Sequence, residues 1–199
     1  MKRMIKVISF LCALSTTLAL ASCKDSGKDN ASVDVKNTVY NSTADYSGEQ
    51  GYKNWYYLTA RNSLEETEYM IWDSEMCTWR AKDINCLIEP NILHPAQLDQ
   101  VIRAWKAPAD GKITVKTNLQ RRPVNKNGVG QDGCYAYIAL SNDDILTEKI
   151  VEATDLEYHS LDATADIKKG EFIFFVLNCN GNYTFDQTYW DLTIEYVNN

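Results

Sequence analysis

Short alternating runs of apolar and polar residues dominate the chain from residue 51 onward, and Gly, Pro, Asn and Asp separate them. Such alternation is typical of half-buried strands, whereas an amphipathic helix needs apolar residues at positions i, i+3, i+4 and i+7. No window sustains that helical spacing over three turns. The pattern predicts an all-β fold, a jelly-roll-like β-sandwich. Its predicted strands are 55–60, 68–72, 76–80, 101–106, 112–119, 134–140, 157–161, 171–178 and 189–197.

Turn chemistry and apolar runs add detail to this pattern. The sequence Pro-Ala-Asp-Gly at 108–111 predicts a hairpin between strands 101–106 and 112–119, because Pro and Gly suit the two ends of a tight turn. The unbroken apolar run at 172–177 predicts a central strand buried on both faces, or an inner strand with a covered outer face. Short helices are predicted at 96–100 and 144–151, and the second segment is equally compatible with a strand.

A different pattern occupies the first 22 residues. Lys2, Arg3 and Lys6 precede an apolar run of about 14 residues at 7–20. A membrane-spanning helix needs about 20 apolar residues, and here small residues follow the shorter run directly. The segment is therefore predicted to be a signal peptide, residues 1–22, that is removed by cleavage.

Two cleavage sites compete at the end of this segment. Residues 19–21, Ala-Leu-Ala, fit an ordinary signal-peptidase site, and residues 20–23, Leu-Ala-Ser-Cys, resemble the lipobox of bacterial lipoproteins. We favour the lipobox because Cys23 stands where that family acylates its new N-terminus. The resemblance implies palmitate-type lipidation of Cys23, and more than one acyl chain gives durable anchoring. The predicted location is the cell envelope, at the outer membrane or cell surface; the alternative is a chance cysteine in a secreted protein.

Charge restricts the range of partners. The full chain has 20 basic and 27 acidic residues, a net charge of −7. Removing three bases and no acids with residues 1–22 leaves 17 against 27, a net charge of −10. Proteins that bind nucleic acid draw much of their affinity from basic side chains on phosphates. The composition therefore argues against nucleic acid as a partner.

The segment after Cys23 differs in composition from the rest of the chain. Residues 24–50 are rich in Ser, Asn, Asp, Lys and Thr and have few apolar side chains. Such a segment cannot bury enough apolar surface to offset the entropy lost on ordering. We therefore interpret 23–50 as a lipidated cysteine with a flexible tether, and 51–199, about 150 residues, as one β-sandwich domain.

Several turn-plus-strand signatures in this domain resemble jelly-roll domains of bacterial surface lipoproteins and polysaccharide-degrading systems. The resemblance covers roughly residues 51–197 and implies a β-sandwich that binds carbohydrate, by analogy with carbohydrate-binding modules. One departure is Glu171, where such domains usually have Asp. The signatures are His94-Pro95, 101–108 with Asp110-Gly111, Asp132-Gly133, 167–172, Asp186, Thr188, Trp190-Asp191 and Ile194.

Aromatic residues crowd the first third of the predicted domain. Most are needed for the core, and we assign Trp55 and Trp105 to packing because they alternate with apolar strand residues. Two other Trp residues flank the predicted polar turn 73–75, where an exposed ring would offer a flat face to a sugar or a partner. The predicted ligand contacts are Trp72, Asp73, Trp79 and Arg80.

Cysteines lie at spacings that do not suit zinc. Cys77 and Cys86 are close enough in sequence to close a short loop in an oxidising compartment, so a disulfide between them is one interpretation. Buried free thiols are the other. Cys134 and Cys179 sit in strand-like patterns, and they could be core thiols or form a second bridge.

Oxygen-bearing side chains cluster around Gly181. Calcium takes six to eight oxygen ligands, so a structural Ca²⁺ is one interpretation of this loop. The other is a polar turn whose Asn residues tolerate left-handed backbone. The candidate ligands are Asn178, Asn180, Asn182 and Asp186.

The sequence shows no recognisable catalytic motif, and we expect no enzyme. The favoured function is a lipid-anchored envelope module that recognises a glycan through aromatic and polar loop contacts. The alternatives are a structural or protein-interaction subunit of an envelope complex and, third, a glycan-active enzyme. These three functions require different surfaces. Glycan binding would require an exposed aromatic platform, a protein partner would require a large apolar patch, and an enzyme would require a cleft with facing carboxylates.

Overall fold

Two antiparallel sheets make up nearly all of the regular secondary structure of the described residues. The computed structural model describes residues 34–123 and 132–197. Sheet A contains, in spatial order, β12 (Ala163–Ile167), β9 (Gly111–Arg121), β14 (Thr188–Tyr196), β7 (Ile92–His94), β6 (Leu87–Ile88), β5 (Thr78–Arg80) and β4 (Ile71–Asp73), with β1 (Tyr40–Asn41) also paired to β14. Sheet B contains β11 (Asp144–Val151), β10 (Cys134–Ser141), β13 (Phe172–Cys179), β8 (Gln100–Lys106), β2 (Trp55–Ala60) and β3 (Glu68–Tyr69).

The inner faces of the two sheets form the main core. Along β14, every second residue from Thr188 to Tyr196 is buried, as a strand with one face on a core requires. Rings from opposite sheets meet there: Phe175 of sheet B contacts Trp190 of sheet A edge-on, with ring centroids 6.3 Å apart. The predicted all-β sandwich is confirmed, and so is the packing role of Trp55 and Trp105, both fully buried.

A second, smaller apolar cluster covers the outer face of sheet B. Its centre is Ile102, Ala104 and Val176, all fully buried although they point away from the main core. Leu64, in a short 3-10 helix (Leu64–Glu66), packs on this cluster from the loop after β2. Strand β8 is therefore buried on both faces. Strand β13 is buried on both faces only around Val176, because Phe172 and Phe174 on its outer face stay partly exposed, so the predicted burial of 172–177 is correct only in part.

The predicted tether is wrong over residues 34–50. Tyr40 pairs with Ile194 of β14, and its ring is buried against Trp105 at a centroid distance of 4.9 Å. Ser42 and Asp45 are buried as well, and the Ser42 hydroxyl accepts a hydrogen bond from the Leu192 backbone. The prediction of a tether rests on the low average hydropathy of this segment. That average does not reveal that one tyrosine is buried in the core and that several polar side chains bind backbone groups. The signal peptide, Cys23 and the remainder of the predicted tether lie outside the described residues.

The turn at 108–111 is present, but the predicted hairpin is wrong. β8 pairs with β2 and β13 in sheet B, whereas β9 pairs with β12 and β14 in sheet A. The turn therefore carries the chain from one sheet to the other. The residues of the turn determine that the chain changes direction. The pairing of the two strands is determined by the sheet in which each strand is buried.

Other local predictions need smaller corrections. Residues 96–100 are not helical, and 144–151 forms β11, so the strand alternative is the correct one. Of the predicted strand 157–161, only a single bridge between Leu119 and His159 is present. Over the described ranges, no helix has both the length and the apolar character needed to cross a bilayer.

Candidate functional site

The predicted ligand contact Trp79 lies in the core. Trp72 and Trp79 face each other across the β4–β5 hairpin, so both rings point toward the interior. Trp79 is only 3% exposed, stacks on Tyr57 with centroids 4.9 Å apart and planes 12° apart, and donates its indole N–H to the Ser47 carbonyl at 2.9 Å. A ring enclosed in this way cannot stack on a ligand, and this prediction is wrong for Trp79.

Asp73 and Arg80 lie on the opposite side of the hairpin, and they bind each other. The Arg80 guanidinium Nε lies 3.1 Å from Asp73 Oδ2. Asp73 Oδ1 accepts the backbone N–H groups of Met76 and Glu75, each at 3.1 Å. The Met76 N–H in particular holds the pKa of Asp73 below its ordinary value. These contacts form the turn, so the structure gives the pair an architectural role.

Trp72 alone among the predicted contacts lines a surface pocket. It is half-buried, and the backbone of Gly48 lies directly on its indole, so that a Cβ there would come within 2.5 Å of the ring. Tyr46 and Glu89 line the same pocket, which encloses about 470 Å³. The predicted four-residue site is therefore divided between the core, a turn and this small pocket.

The proposed calcium ligands do not converge. Asp186 is fully buried and faces the interior, where Arg121 Nη2 lies 3.5 Å from its Oδ1. Asn182 instead accepts the Thr184 N–H at 2.9 Å, and Asn180 donates to the Asp132 carbonyl at 3.1 Å. In the described ranges, no three His, Cys, Asp or Glu side chains are grouped as metal ligands. The contacts support the polar-turn interpretation for Asn180 and Asn182, whereas Asn178 lies in β13, opposite Tyr135 of β10.

The predicted disulfide between Cys77 and Cys86 is not formed. Cys77 is exposed at the tip of the β4–β5 hairpin with a left-handed backbone, φ 53°. Cys86 is buried, and its Sγ lies 3.6 Å from Thr59 Oγ1 of sheet B. Proximity in sequence suggested a bridge, but the tip of the hairpin and the core hold the two thiols apart.

A large groove lies where β12, β13 and the β10–β11 hairpin meet, and we call it the Phe172 groove. It encloses about 890 Å³, within the range of roughly 300 to 1,000 Å³ usual for ligand pockets. Both sheets contribute to it. Its lining residues are Gly111, Lys112, Leu140, Asp144, Asp166, Ile167, Lys168, Glu171, Phe172 and Phe174.

Two phenylalanine rings form the apolar part of this groove. Phe172 and Phe174 alternate outward from β13, and their rings stack with centroids 5.8 Å apart and planes 23° apart. Tyr56 contacts Phe172 edge-on at 5.2 Å, and the Lys106 ammonium lies 5.3 Å from the Phe172 centroid. Both phenylalanines remain partly exposed. They offer adjoining flat faces held in place by neighbours on β2 and β8.

Charged side chains of both signs surround the two rings. The groove contains the carboxylates of Asp144, Asp166 and Glu171 and the ammonium groups of Lys112 and Lys168. Asp166 and Lys112 are directly opposed in the β9–β12 register. Hydrogen-bond acceptors and donors therefore border an apolar face, the combination that orients a polar ligand with flat apolar surfaces.

Backbone contacts fix the turn that forms one wall. Glu171 Oε2 accepts the Lys168 N–H at 2.8 Å, and Asp110 Oδ1 accepts the Lys169 N–H at 2.7 Å. Gly170 has φ 91°, a conformation that favours glycine, and its N–H donates to the Ala107 carbonyl at 2.8 Å. The 168–171 turn is therefore tied to the 107–110 turn, and this wall of the groove is preorganised.

The middle of the outer face of sheet B is covered. The Leu64 backbone N–H donates to Asn142 Oδ1 at 2.7 Å, and Asn142 donates back to Ser63 at 2.8 Å. This pair of bonds holds Leu64 over the middle of the face, between β2 and the β10–β11 hairpin. Tyr137 donates to Gln100 at 2.8 Å nearby. At the Phe172 end, this face opens into the groove.

Sequence reasoning missed the Phe172 groove because it interpreted 172–177 as uniformly buried. Strand alternation carried the missing signal: Phe172 and Phe174 share one face and Ile173 and Phe175 the other. The charged turn just before Phe172 indicated that the outward face begins in solvent.

Comparisons with known proteins give structural likenesses only. No protein-family model matches the chain, and no curated protein matches its sequence. Among solved structures, the CBM22-1–GH10 modules of Clostridium thermocellum xylanase 10B, complexed with xylohexaose, are 13% identical with TM-score 0.38, over 80% of this chain and 28% of that one. A family 35 carbohydrate-binding module from Clostridium thermocellum is 5% identical with TM-score 0.35, over 80% and 98%. Pika GITRL is 10% identical with TM-score 0.32, over 72% and 98%.

Proposed function

We propose that this chain is a glycan-binding module held at the bacterial cell envelope by lipidated Cys23. One observation carries the glycan assignment: the stacked Phe172 and Phe174 rings border a groove of about 890 Å³ that also holds carboxylate and ammonium groups. The flat apolar faces of sugar rings pack on aromatic rings, and their hydroxyl groups bind charged side chains. The proposal rests on these residues and on the signal peptide that the sequence predicts.

The charges of the groove favour a neutral glycan. Three carboxylates face two ammonium groups there, and the whole chain has a net charge of −7. A polyanionic glycan would meet a like-charged field, whereas neutral sugar hydroxyls can both donate to carboxylates and accept from Lys112 and Lys168. Neutral polysaccharides are therefore the expected ligands.

The test begins with the purified protein on an array of polysaccharides from plants, animals and bacterial envelopes. For each polysaccharide that binds, titration calorimetry then compares wild type with Phe172→Ala and Phe174→Ala. We expect each variant to raise Kd by about 5- to 150-fold, equivalent to about 1 to 3 kcal/mol. The matched control is Tyr69→Ala, an aromatic residue that is 63% exposed and lies outside the groove.

Three results would contradict the proposal. The first is an array on which no polysaccharide binds. The second is wild-type affinity in both Phe172→Ala and Phe174→Ala. The third is a loss of affinity in Tyr69→Ala equal to that of the groove variants. Melting temperatures of all variants exclude unfolding as the cause of a loss.

A second candidate function is docking to an envelope protein. Ile71, Met76 and Ile84 are 70%, 62% and 70% exposed, and all three belong to the β4–β6 segment. Ile71 lies opposite Arg80, and the Arg80 guanidinium donates to the Ile84 carbonyl at 3.1 Å. Ile71 and Ile84 therefore both lie next to Arg80. Cross-linking from Ile84→Cys in cells would capture a specific protein if this surface is occupied.

A further inference from the structure

Two cysteines on neighbouring strands lie directly opposite each other. In the antiparallel register of β10 and β13, Cys134 is the partner of Cys179. Both are free thiols here: Cys134 is buried in the main core, and Cys179 is half-buried at the end of its strand. Opposed residues of a ladder project from the same face, so the two side chains leave the sheet side by side.

The hydrogen bond next to this pair identifies its geometry. The Asn180 N–H donates to the Gly133 carbonyl at 3.4 Å, and these are the residues that follow and precede the cysteines. Opposed pairs in an antiparallel ladder alternate between hydrogen-bonded and non-hydrogen-bonded. Cys134 and Cys179 therefore form a non-hydrogen-bonded pair, whose Cα atoms lie about 4.5 Å apart in a regular ladder. Disulfides span Cα separations of about 4.4 to 6.8 Å.

We propose that Cys134 and Cys179 form a cross-strand disulfide when the protein meets a disulfide oxidant, either a small-molecule disulfide or an extracytoplasmic dithiol oxidase. Each thiol currently has a weak partner that a side-chain rotation would release: Thr188 Oγ1 at 3.5 Å from Cys134, and the Gln97 carbonyl at 3.6 Å from Cys179.

The reaction is an exchange of disulfides. The Cys179 thiolate, on the more accessible residue, attacks one sulfur of the oxidant, and the first thiol leaves. The Cys134 sulfur then attacks the mixed disulfide at Cys179 and releases the second thiol. Two electrons and two protons end on the reduced oxidant. Burial raises the pKa of Cys134 to about 12, so Cys179 is the more suitable thiol for the first attack.

The cross-link would fasten two loops at one end of the sandwich. Asp132 precedes Cys134, and its carboxylate accepts the Asn182 N–H at 2.9 Å, so these loops already touch. The bond would close a loop of about 46 residues, for which the loss of chain entropy in the unfolded state is substantial. We expect the oxidised protein to melt about 5 to 15 °C above the reduced protein.

Peptide mapping tests the bond directly. The purified protein is treated with oxidised glutathione, its remaining thiols are alkylated under denaturing conditions, and a digest without reductant is analysed by mass spectrometry. We expect one linked peptide pair, containing Cys134 and Cys179, that disappears on reduction. Cys179→Ser should lose the linked pair and the redox-dependent melting shift. Cys77→Ser, the matched control at an exposed cysteine, should keep both.

Two results would overturn the proposal. One is alkylation of Cys134 and Cys179 after oxidation, with equal melting temperatures in both redox states. The other is a linkage of either cysteine to a different partner, such as Cys86.

Discussion

Replacing Trp79 by Ala separates a core role from a ligand-binding role. The Trp79 ring is 3% exposed, lies between Tyr57 and Trp72 and donates to Ser47. Burying a Trp removes up to about 250 Å² from water, and at about 25 cal/mol per Å² this gives an upper bound near 6 kcal/mol. Measured Trp→Ala losses in cores are about 3 to 5 kcal/mol. We expect a destabilisation in that range.

Thermal and denaturant unfolding measure this loss. For a protein of this size, each kcal/mol shifts the melting temperature by about 2 to 4 °C, so Trp79→Ala should melt about 6 to 20 °C lower. Trp72→Ala should cost less, because Trp72 is half-buried. Tyr69→Ala, which removes a ring that is 63% exposed, should change stability by less than about 0.5 kcal/mol. A Trp79→Ala protein that melts like wild type yet loses binding to its polysaccharide would refute this reasoning.

Two further predictions concern charge and anchoring. Burial raises the pKa of Asp186 to about 7, so between about pH 4 and 7 the folded protein holds a proton that the unfolded chain has lost. The free energy of unfolding of the wild type should therefore fall by up to about 4 kcal/mol, relative to Asp186→Asn, as pH rises through this window. Urea titrations of both proteins at pH 4.5 and 8 measure this difference. Equal pH dependence in the two proteins would contradict the prediction. Cys23→Ala should move the protein from the membrane fraction to the soluble fraction, and a soluble wild type with Ser22 as its N-terminus would contradict the lipid anchor.

The fold class follows from the sequence because alternation has an immediate physical cause. A strand with one face on a core must alternate, and β14 does so along its whole length. The pairing of strands does not follow from alternation, because it depends on which apolar faces meet. The turn at 108–111 was recognisable, yet only the packed layers show that it connects two sheets.

The candidate site was harder to predict for a related reason. Burial of Trp79 and exposure of Phe172 depend on which side of a strand faces the second sheet, and residue type does not reveal this. Both are aromatic residues beside charged turns. Composition also misjudged residues 34–50, because a single ring at Tyr40 and a few backbone-bonded polar groups hold that segment on β14.

The pairing of β1 with β14 places Lys36, close to the first described residue, beside the Phe172 groove. The Lys36 ammonium lies 5.9 Å from the Tyr196 ring centroid and would be 3.6 Å from a Cβ at Gly111, which lines the groove. Between Cys23 and residue 34 the chain spans at most about 40 Å when fully extended. If Cys23 is acylated as proposed above, this extended length is the upper limit on the distance between the anchor and residue 34, the first described residue.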